Sequence, residues 1–442
     1  MLEMGSSLVV GSAALSSFDS IVLGAGISGL VSASVLAEQG HSKILVVDEY
    51  NHVGGNHIDR SYGGYTFDVG SFIFQDDSPL LRHFPELLPL YVPIDPTFGR
   101  LNPQGVVTHY PISIQDDLLA AGPIELSRIL LSVAFARLFQ RDQTDARSFA
   151  RYWIGSRLLE RSGLEHYMER FYGVKADKID IGFAQKRMLW IKYHAMVSTY
   201  IAKWFAPSVR GPTNRQLARP KEGFAHLYQA ATERLEKCGV TFLLGAKMKG
   251  LSKIGNEFHL EVGTQRVMSD RLVSTVPIPR LQDLCGIPRE QELQTVTLIS
   301  LFMSFSGTRG FKQSVLFNFS HEGAWKRLTM YSDFYGLVDG REYFGVEVNA
   351  DHVEESVALA EQNFRKHTEE NGLFLGDLRL EGSHRLETAY PIYTDQAGER
   401  AEKAIAELRA RGIESFGRQG GFDYQPTARV STLQAEAALA RK

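Results

Sequence analysis

The chain has 442 residues, 44% of them hydrophobic and 22% charged, a length beyond what one hydrophobic core usually organises. Its 48 Lys and Arg against 51 Asp and Glu give a net charge of -3, which excludes a broad nucleic-acid surface built from clustered cations. Small anionic ligands held by a few arginines stay open. The two cysteines, Cys238 and Cys285, stand far apart without metal-ligand spacing, predicting neither a metal site nor a disulfide framework and a reducing, cytoplasmic setting.

Residues 1–17 contain Leu8-Val9-Val10 and the small residues Ser12, Ala13 and Ala14, but no Lys or Arg precedes them. They read as a flexible leader, not a secretory signal. No uninterrupted apolar run reaches about eighteen residues, so no membrane span is predicted. The most apolar helix, Ile124 to Phe139, is interrupted by Arg128 and Arg137 and reads as part of a domain.

Phe18 to Leu23 predicts a short buried strand, and Gly24-Ala25-Gly26-Ile27-Ser28-Gly29 follows at once. Leu30 to Gln39 continues at helical spacing. Strand, glycine turn and helix are the context in which G-x-G-x-x-G binds a dinucleotide. Gly24 permits the turn, Gly26 lets backbone approach a pyrophosphate, and Gly29 lets helix pack on sheet. The N–H groups around Ile27 and Ser28 would face the phosphates. A second strand, Ile44 to Val47, ends at Asp48 and Glu49, where a carboxylate can accept from ribose hydroxyls. These features do not choose between NAD and FAD.

The following segment adds Gly54-Gly55-Asn56 and then Tyr65-Thr66-Phe67-Asp68-Val69-Gly70. V-V-D-E-Y-N-H-V-G-G-N resembles the stretch after the second strand in FAD enzymes of the amine oxidase and protoporphyrinogen oxidase superfamily. The closing Asn56 is more similar to UDP-galactopyranose mutases. Further segments resemble that family. Asp177 to Trp190 looks like a helical segment ending in a diphosphate-gripping arginine, here Arg187. Arg219-Pro220-Lys221-Glu222-Gly223-Phe224 resembles a turn leading back to the FAD domain ahead of a helix from His226 to Lys237. Trp325 to Ser332 looks like the strand bearing the second diphosphate arginine, Arg327, and His384 to Pro391 the strand with a substrate tyrosine, Tyr390. Ile413 to Tyr424 is similar to a G-R-x-G-x-aromatic-x-Tyr motif. There Gly417 and Arg418 would lie by the flavin and Tyr424 by the sugar nucleotide. A helix from Ser431 to Arg441, capped by Ser431 or Thr432, would aim its N-terminus at the flavin.

From residue type alone, arginine suits a bidentate grip on phosphate and tyrosine a half-dry pocket. Arg187 and Arg327 read equally as surface residues or ion-pair partners, and Tyr390 and Tyr424 as packed core. The resemblance also departs from the family pattern. A flavin-proximal histidine belongs after Gly70, yet the chain reads Ser71-Phe72, and a phenyl ring cannot hydrogen-bond a flavin. His57 is a substitute to weigh, and Asp423 and Pro426 are further departures. Tyr152, Trp153, Tyr167 and Tyr172 stand as unranked candidates for stacking on a nucleobase.

The resemblance implies an α/β fold: a glutathione-reductase-type FAD domain (18–85, 215–275 and 388–442), a helical insertion (114–204), and a mostly antiparallel sheet domain (90–110 with 276–387). It implies a mutase interconverting pyranose and furanose forms of a UDP-sugar, dependent on reduced FAD and a reductant such as NAD(P)H. Two alternatives stay open: an amine-oxidase-type oxidoreductase acting on a small metabolite, and a flavoprotein that binds without chemistry.

Overall fold

Strand β1 (Ser16–Leu23) leads through the glycine turn into the helix Ile27–Glu38, and β2 (Ile44–Asp48) then lies parallel to β1. This is seen in a computed structural model that describes residues 16–70, 73–188, 191, 214–289, 292–394 and 396–440. The hairpin of β3 (Ile58–Tyr62) and β4 (Tyr65–Val69) follows. Next come β5 (Phe74–Gln75), β6 (Val92–Ile94), β7 (Phe98–Leu101) and β8 (Val107–His109). The helices Pro123–Phe139, Ala146–Ser162, Leu164–Tyr172 and Ile181–Arg187 then form a helical segment.

After β9 (Gln216–Ala218) and the helix Ala225–Lys237, the chain returns to the first sheet through β10 (Val240–Leu244), β11 (Met248–Ile254), β12 (Glu257–Val262) and β13 (Gln265–Ser274). The second sheet takes β14 (Thr295–Arg309), β15 (Val315–Asn318), β16 (Trp325–Met330), β17 (Glu342–Asn349) and β18 (Phe374–Pro391). β19 (Ile413–Ser415) and the helix Ala428–Leu439 close the chain on the first sheet.

The first sheet runs β10-β2-β1-β13-β12-β11, with β19 beside the C-terminal half of β13. Its β10, β2, β1, β13 and β19 are parallel. Parallel strands are covered on both faces, so they read as apolar runs without alternation. Ile21, Val22, Leu23, Ile44, Val46 and Val47 accordingly have no exposed surface. One face packs on the helices Ile27–Glu38, Ala225–Lys237 and Ala428–Leu439, and the other on Ala397–Ala410.

The second sheet runs β18-β14-β17-β16-β15-β7-β8 and is antiparallel except where β15 meets β7. β6 does not join it, although Leu90 to Tyr110 was expected there as a whole. It pairs with β9, which also pairs with β5, in a separate three-stranded sheet. Arg219, fully buried, locks the turn after β9 to the β3–β4 hairpin. It donates to the carboxylate of Asp68 and to the carbonyls of Thr66, Pro220 and Lys221. Among the described residues no helix is long and apolar enough to cross a membrane.

Candidate functional site

The C-terminal ends of β1, β2 and β13 open on a cleft of about 560 Å³, within the roughly 300–1,000 Å³ usual for ligand sites. Its floor is the glycine turn. No side chain caps the helix Ile27–Glu38, whose N-cap is Gly26, so its first N–H groups are left for an anion. A Cβ on Gly55, which has φ +62°, would lie 3.1 Å from Gly26 Cα, so these two glycines bring backbone to backbone. Gly29 is outside the cleft lining; a Cβ there would fall 1.9 Å from the Gly24 carbonyl oxygen, which ties helix to strand.

Asp48 closes the β2 end of the cleft. Its carboxylate accepts from the Ala25 amide at 2.6 Å and the Tyr50 amide at 2.9 Å. Burial pushes its carboxyl above the ordinary carboxylate value, against the pull of those two amides. Glu49 also lines the cleft, but its carboxylate accepts from the Met248 amide at 3.0 Å and from Arg280 at 2.6 Å. Gly24, Gly26, Ile27, Ser28, Gly54, Gly55 and Asn56 line the same cleft, as do Arg418 and Ser431 at its far end. An uncapped helix start, a glycine contact and an oriented acid are the parts a dinucleotide needs, so the residues fit one.

The C-terminal helix differs from expectation. It starts at Ala428, and its cap is Thr427, whose hydroxyl accepts from the Val430 amide. Thr427 holds the extended conformation of an N-cap (φ -140°), so helical hydrogen bonding begins a turn before Ser431 and Thr432. Those two lie inside the helix. Ser431 donates to Gln425 at 2.6 Å, while Thr432 is fully buried and donates to the Ala428 carbonyl. Gly417, at φ +91°, donates its amide to Gln434 and packs on Ser28.

A smaller cavity of about 130 Å³ adjoins the cleft, sharing Asn56, His57, Arg418 and Pro426 with it. Arg327, Tyr390, Tyr424 and Gly70 all line it. Sequence reading missed two further members, Lys326 and Glu347. Neighbours on a regular strand point to opposite faces, yet Lys326 and Arg327 line one cavity. The β16–β17 register shifts between Trp325 and Arg327, the mark of a bulge that re-aims side chains. Arg327 donates to Glu347, its register partner, and to the Gly70 carbonyl at 2.9 Å. Lys326 reaches the same carboxylate at 2.9 Å and the Tyr390 hydroxyl at 3.1 Å.

Burial pulls the Lys326 ammonium below its ordinary value, with Glu347 opposing. Burial pushes the Glu347 carboxyl up, but Arg327 and Lys326 outweigh it and hold the group ionised. Burial raises the Tyr424 hydroxyl to about 12. The cavity therefore holds three cations, Lys326, Arg327 and Arg418, against one carboxylate. The Lys326 ammonium sits 4.6 Å from the Phe171 ring centre and 4.9 Å from that of Tyr390.

His57 lines both spaces. Its ring stacks on Phe224 at 5.5 Å and its Nδ1 is hydrogen-bonded to the Tyr228 hydroxyl. Burial, aided by Arg418, lowers its pKa to about 3, so the ring is neutral. Of the four aromatic candidates, Tyr167 lines the cavity. Tyr152 and Trp153 instead carry the Arg137 guanidinium, and Tyr172 packs against Phe183. Ser71, Phe72 and the Arg187 side chain lie outside the described residues.

A parallel, doubly covered sheet with this glycine turn and acid, joined to a mostly antiparallel sheet, defines a dinucleotide-binding α/β protein. Residues 22–86 match the family model for an NAD(P)-binding Rossmann-like domain. Nearly the whole chain shares its fold with solved enzyme structures. It is similar to a structure of reduced UDP-galactopyranose mutase, with a TM-score of 0.76 and 18% identity over 96% of this chain and 94% of that one. It is also similar to putrescine oxidase, with a TM-score of 0.60 and 15% identity over 97% of this chain and 100% of that one.

Among curated proteins, 71 residues (16% of this chain) are 42% identical to a chloroplastic prolycopene isomerase of Daucus carota. Another 70-residue match (15% of this chain) is 41% identical to the UDP-galactopyranose mutase of Mycoplasma pneumoniae. These matches span 11% and 17% of the two relatives' own lengths.

Proposed function

We propose that the chain is a flavoenzyme acting on a nucleotide-diphosphate sugar, interconverting the pyranose and furanose forms of a UDP-sugar. The observation that carries this reading is the cationic cavity of Lys326, Arg327 and Arg418 beside the dinucleotide cleft. FAD would be held by the glycine turn, by Asp48 and by the Gly54–Asn56 segment, with Arg418 at the junction. In its reduced form, maintained by a reductant such as NAD(P)H, FAD supplies an electron-rich centre for reaction at the anomeric carbon.

The chain's own residues would hold and orient the substrate. Arg327 offers a planar fork for phosphate oxygens and Lys326 a point charge. Tyr390 and Tyr424 stay neutral; the Tyr424 hydroxyl can donate to substrate, while that of Tyr390 donates to the Phe171 carbonyl at 2.5 Å and accepts from Lys326, fixing the ammonium in the cavity wall. Keeping the diphosphate beside the sugar favours its recombination over escape. Arg187, which ends the helix Ile181–Arg187, is proposed as a second diphosphate ligand, and Tyr167 as a stacking surface for the base. The reading as an amine-oxidase-type enzyme is disfavoured by Lys326. Its ammonium already occupies the Phe171–Tyr390 ring pair that a cationic substrate would use, and three cations would repel such a substrate.

The test uses the purified protein, reduced with dithionite under anaerobic conditions and mixed with UDP-galactopyranose or UDP-galactofuranose, with isomers separated by chromatography. Interconversion is expected only when the flavin is reduced. No interconversion together with no UDP binding by calorimetry would sink the proposal.

A further inference from the structure

His57 sits where the two spaces meet. It lines both the cleft of about 560 Å³ and the cavity of about 130 Å³, together with Asn56, Arg418 and Pro426. A cofactor ring that reacts with a bound substrate must stand at such a junction, because it has to touch both. The imidazole is held there on three sides. Phe224 stacks on one face, with ring centres 5.5 Å and planes 17° apart, and Phe74 meets it edge-on at 5.3 Å. On the third side Nδ1 is hydrogen-bonded to the Tyr228 hydroxyl. Tyr228 is itself fixed, for a Cβ on Gly54 would fall 2.5 Å from its Cε2. Tyr228 lines neither space, so the Nδ1 edge of His57 faces away from them and the Nε2 edge is turned toward them.

Which ring nitrogen carries the hydrogen follows from the hydrogen-bond inventory. Tyr228 is buried, and burial pushes its hydroxyl well above the ordinary range, so it keeps its proton. Among the described residues His57 Nδ1 is the one partner of that hydroxyl. Were Nδ1 the donor, the Tyr228 hydrogen would be buried without an acceptor, which the opposite arrangement avoids. Tyr228 therefore donates to Nδ1, and the neutral ring carries its hydrogen on Nε2. That N–H meets no acceptor among the described residues. We infer that the Nε2–H of His57 donates a hydrogen bond to the flavin ring at the junction, with Tyr228 as the positioning residue that sets the tautomer. A directed donor there favours the electron-rich reduced ring over the oxidised one. Bound FAD is the one premise taken over from the proposed function; the identity of the substrate is not.

Nitrogen NMR of the FAD-loaded full chain, labelled with 15N at histidine, tests the tautomer and the contact together. The His57 signals are those lost in His57→Gln. An unprotonated Nδ1 and a protonated Nε2 are expected, with the Nε2 resonance moving when dithionite reduces the flavin. A ring protonated on Nδ1, or an Nε2 resonance indifferent to the flavin's redox state, would overturn the contact. Redox titration reads it a second way. His57→Phe keeps an aromatic ring against Phe224 but removes the donor, so its flavin should favour the reduced state about tenfold less. For a two-electron couple that is a potential about 30 mV lower. His57→Gln keeps an N–H donor and should recover most of the difference, and Tyr228→Phe, with its tautomers mixed, should fall between. Equal potentials in the parent and His57→Phe would overturn the contact and leave FAD as the cofactor. A chain that binds no FAD would overturn both.

Discussion

Arg327 and Glu347 are register partners across β16 and β17, and their ion pair sits in the wall of the cavity that adjoins the dinucleotide cleft. Sequence left Arg327 open as either a ligand-binding residue or an ion-pair partner. The pair shows that the second does not exclude the first, because its guanidinium lines the cavity while bound to Glu347.

Arg327→Ala is expected to weaken UDP binding by about ten- to a hundredfold, the range of one or two charge-assisted hydrogen bonds. Arg327→Lys should fall between the two, since an ammonium lacks the planar fork. Isothermal titration calorimetry reads both, and unchanged affinity in Arg327→Ala would remove this residue from the substrate site.

Glu347→Gln removes the counter-charge of two buried cations. A loss of about 3 kcal/mol is expected, as for breaking a buried ion pair from one side. Added UDP should restore part of the lost Tm, because an anion then takes the place of the missing carboxylate. A drop in Tm that UDP leaves untouched would argue against an anion site here.

Gly29→Ala places a methyl group 1.9 Å from the Gly24 carbonyl, a backbone atom that cannot swing aside. Destabilisation of about 1–3 kcal/mol is expected from such overpacking, with loss of copurifying flavin. Gly398→Ala, where nothing lies within 4 Å, is the control and should retain flavin. Equal flavin content in both variants would contradict the role of Gly29 in shaping the turn.

His57 has a folded-state pKa of about 3, against 6.5 for an unperturbed histidine. The unfolded chain therefore binds the extra proton first, and stability falls as pH drops from 6.5 toward 3. Between pH 6.5 and 5 this group alone should cost about 1.5 kcal/mol. His57→Phe is expected to show a shallower fall of Tm over that interval. Parallel Tm–pH curves for the variant and the parent protein would show that the His57 ring is protonated as readily in the folded chain as in the unfolded one.

The dinucleotide half was legible because its determinants are close in sequence. Strand, glycines, helix and Asp48 fall within a few dozen residues, and each acts through backbone geometry that residue type constrains directly. The end of the chain was legible only in part. The Gly417-Arg418 segment was recognised, but the cap of the last helix was placed at Ser431 or Thr432. Thr427, just after Pro426, has an equally suitable hydroxyl, and choosing among nearby hydroxyls needs the backbone conformation. Lys326 went unnoticed because a Lys next to an Arg on a strand normally points to the other face, and Glu347 because only strand pairing brings it to Arg327.

By itself, then, the sequence determined a strand, glycine turn and helix of the dinucleotide-binding kind, since apolar runs and glycine spacing are local signals, whereas the second, mostly antiparallel sheet came only from the resemblance. Tertiary structure alone decided which charges meet. Arg327 and Glu347 are twenty residues apart in the chain. They are joined by strand pairing, and a bulge, not the two-residue period, brings Lys326 to the same carboxylate. Tertiary structure likewise decided which way the Pro123–Phe139 helix faces. The helix is apolar on both sides, with Ile129 and Ala136 buried and Leu131 and Phe135 exposed, so only packing against Ala146–Ser162 decides which side meets solvent.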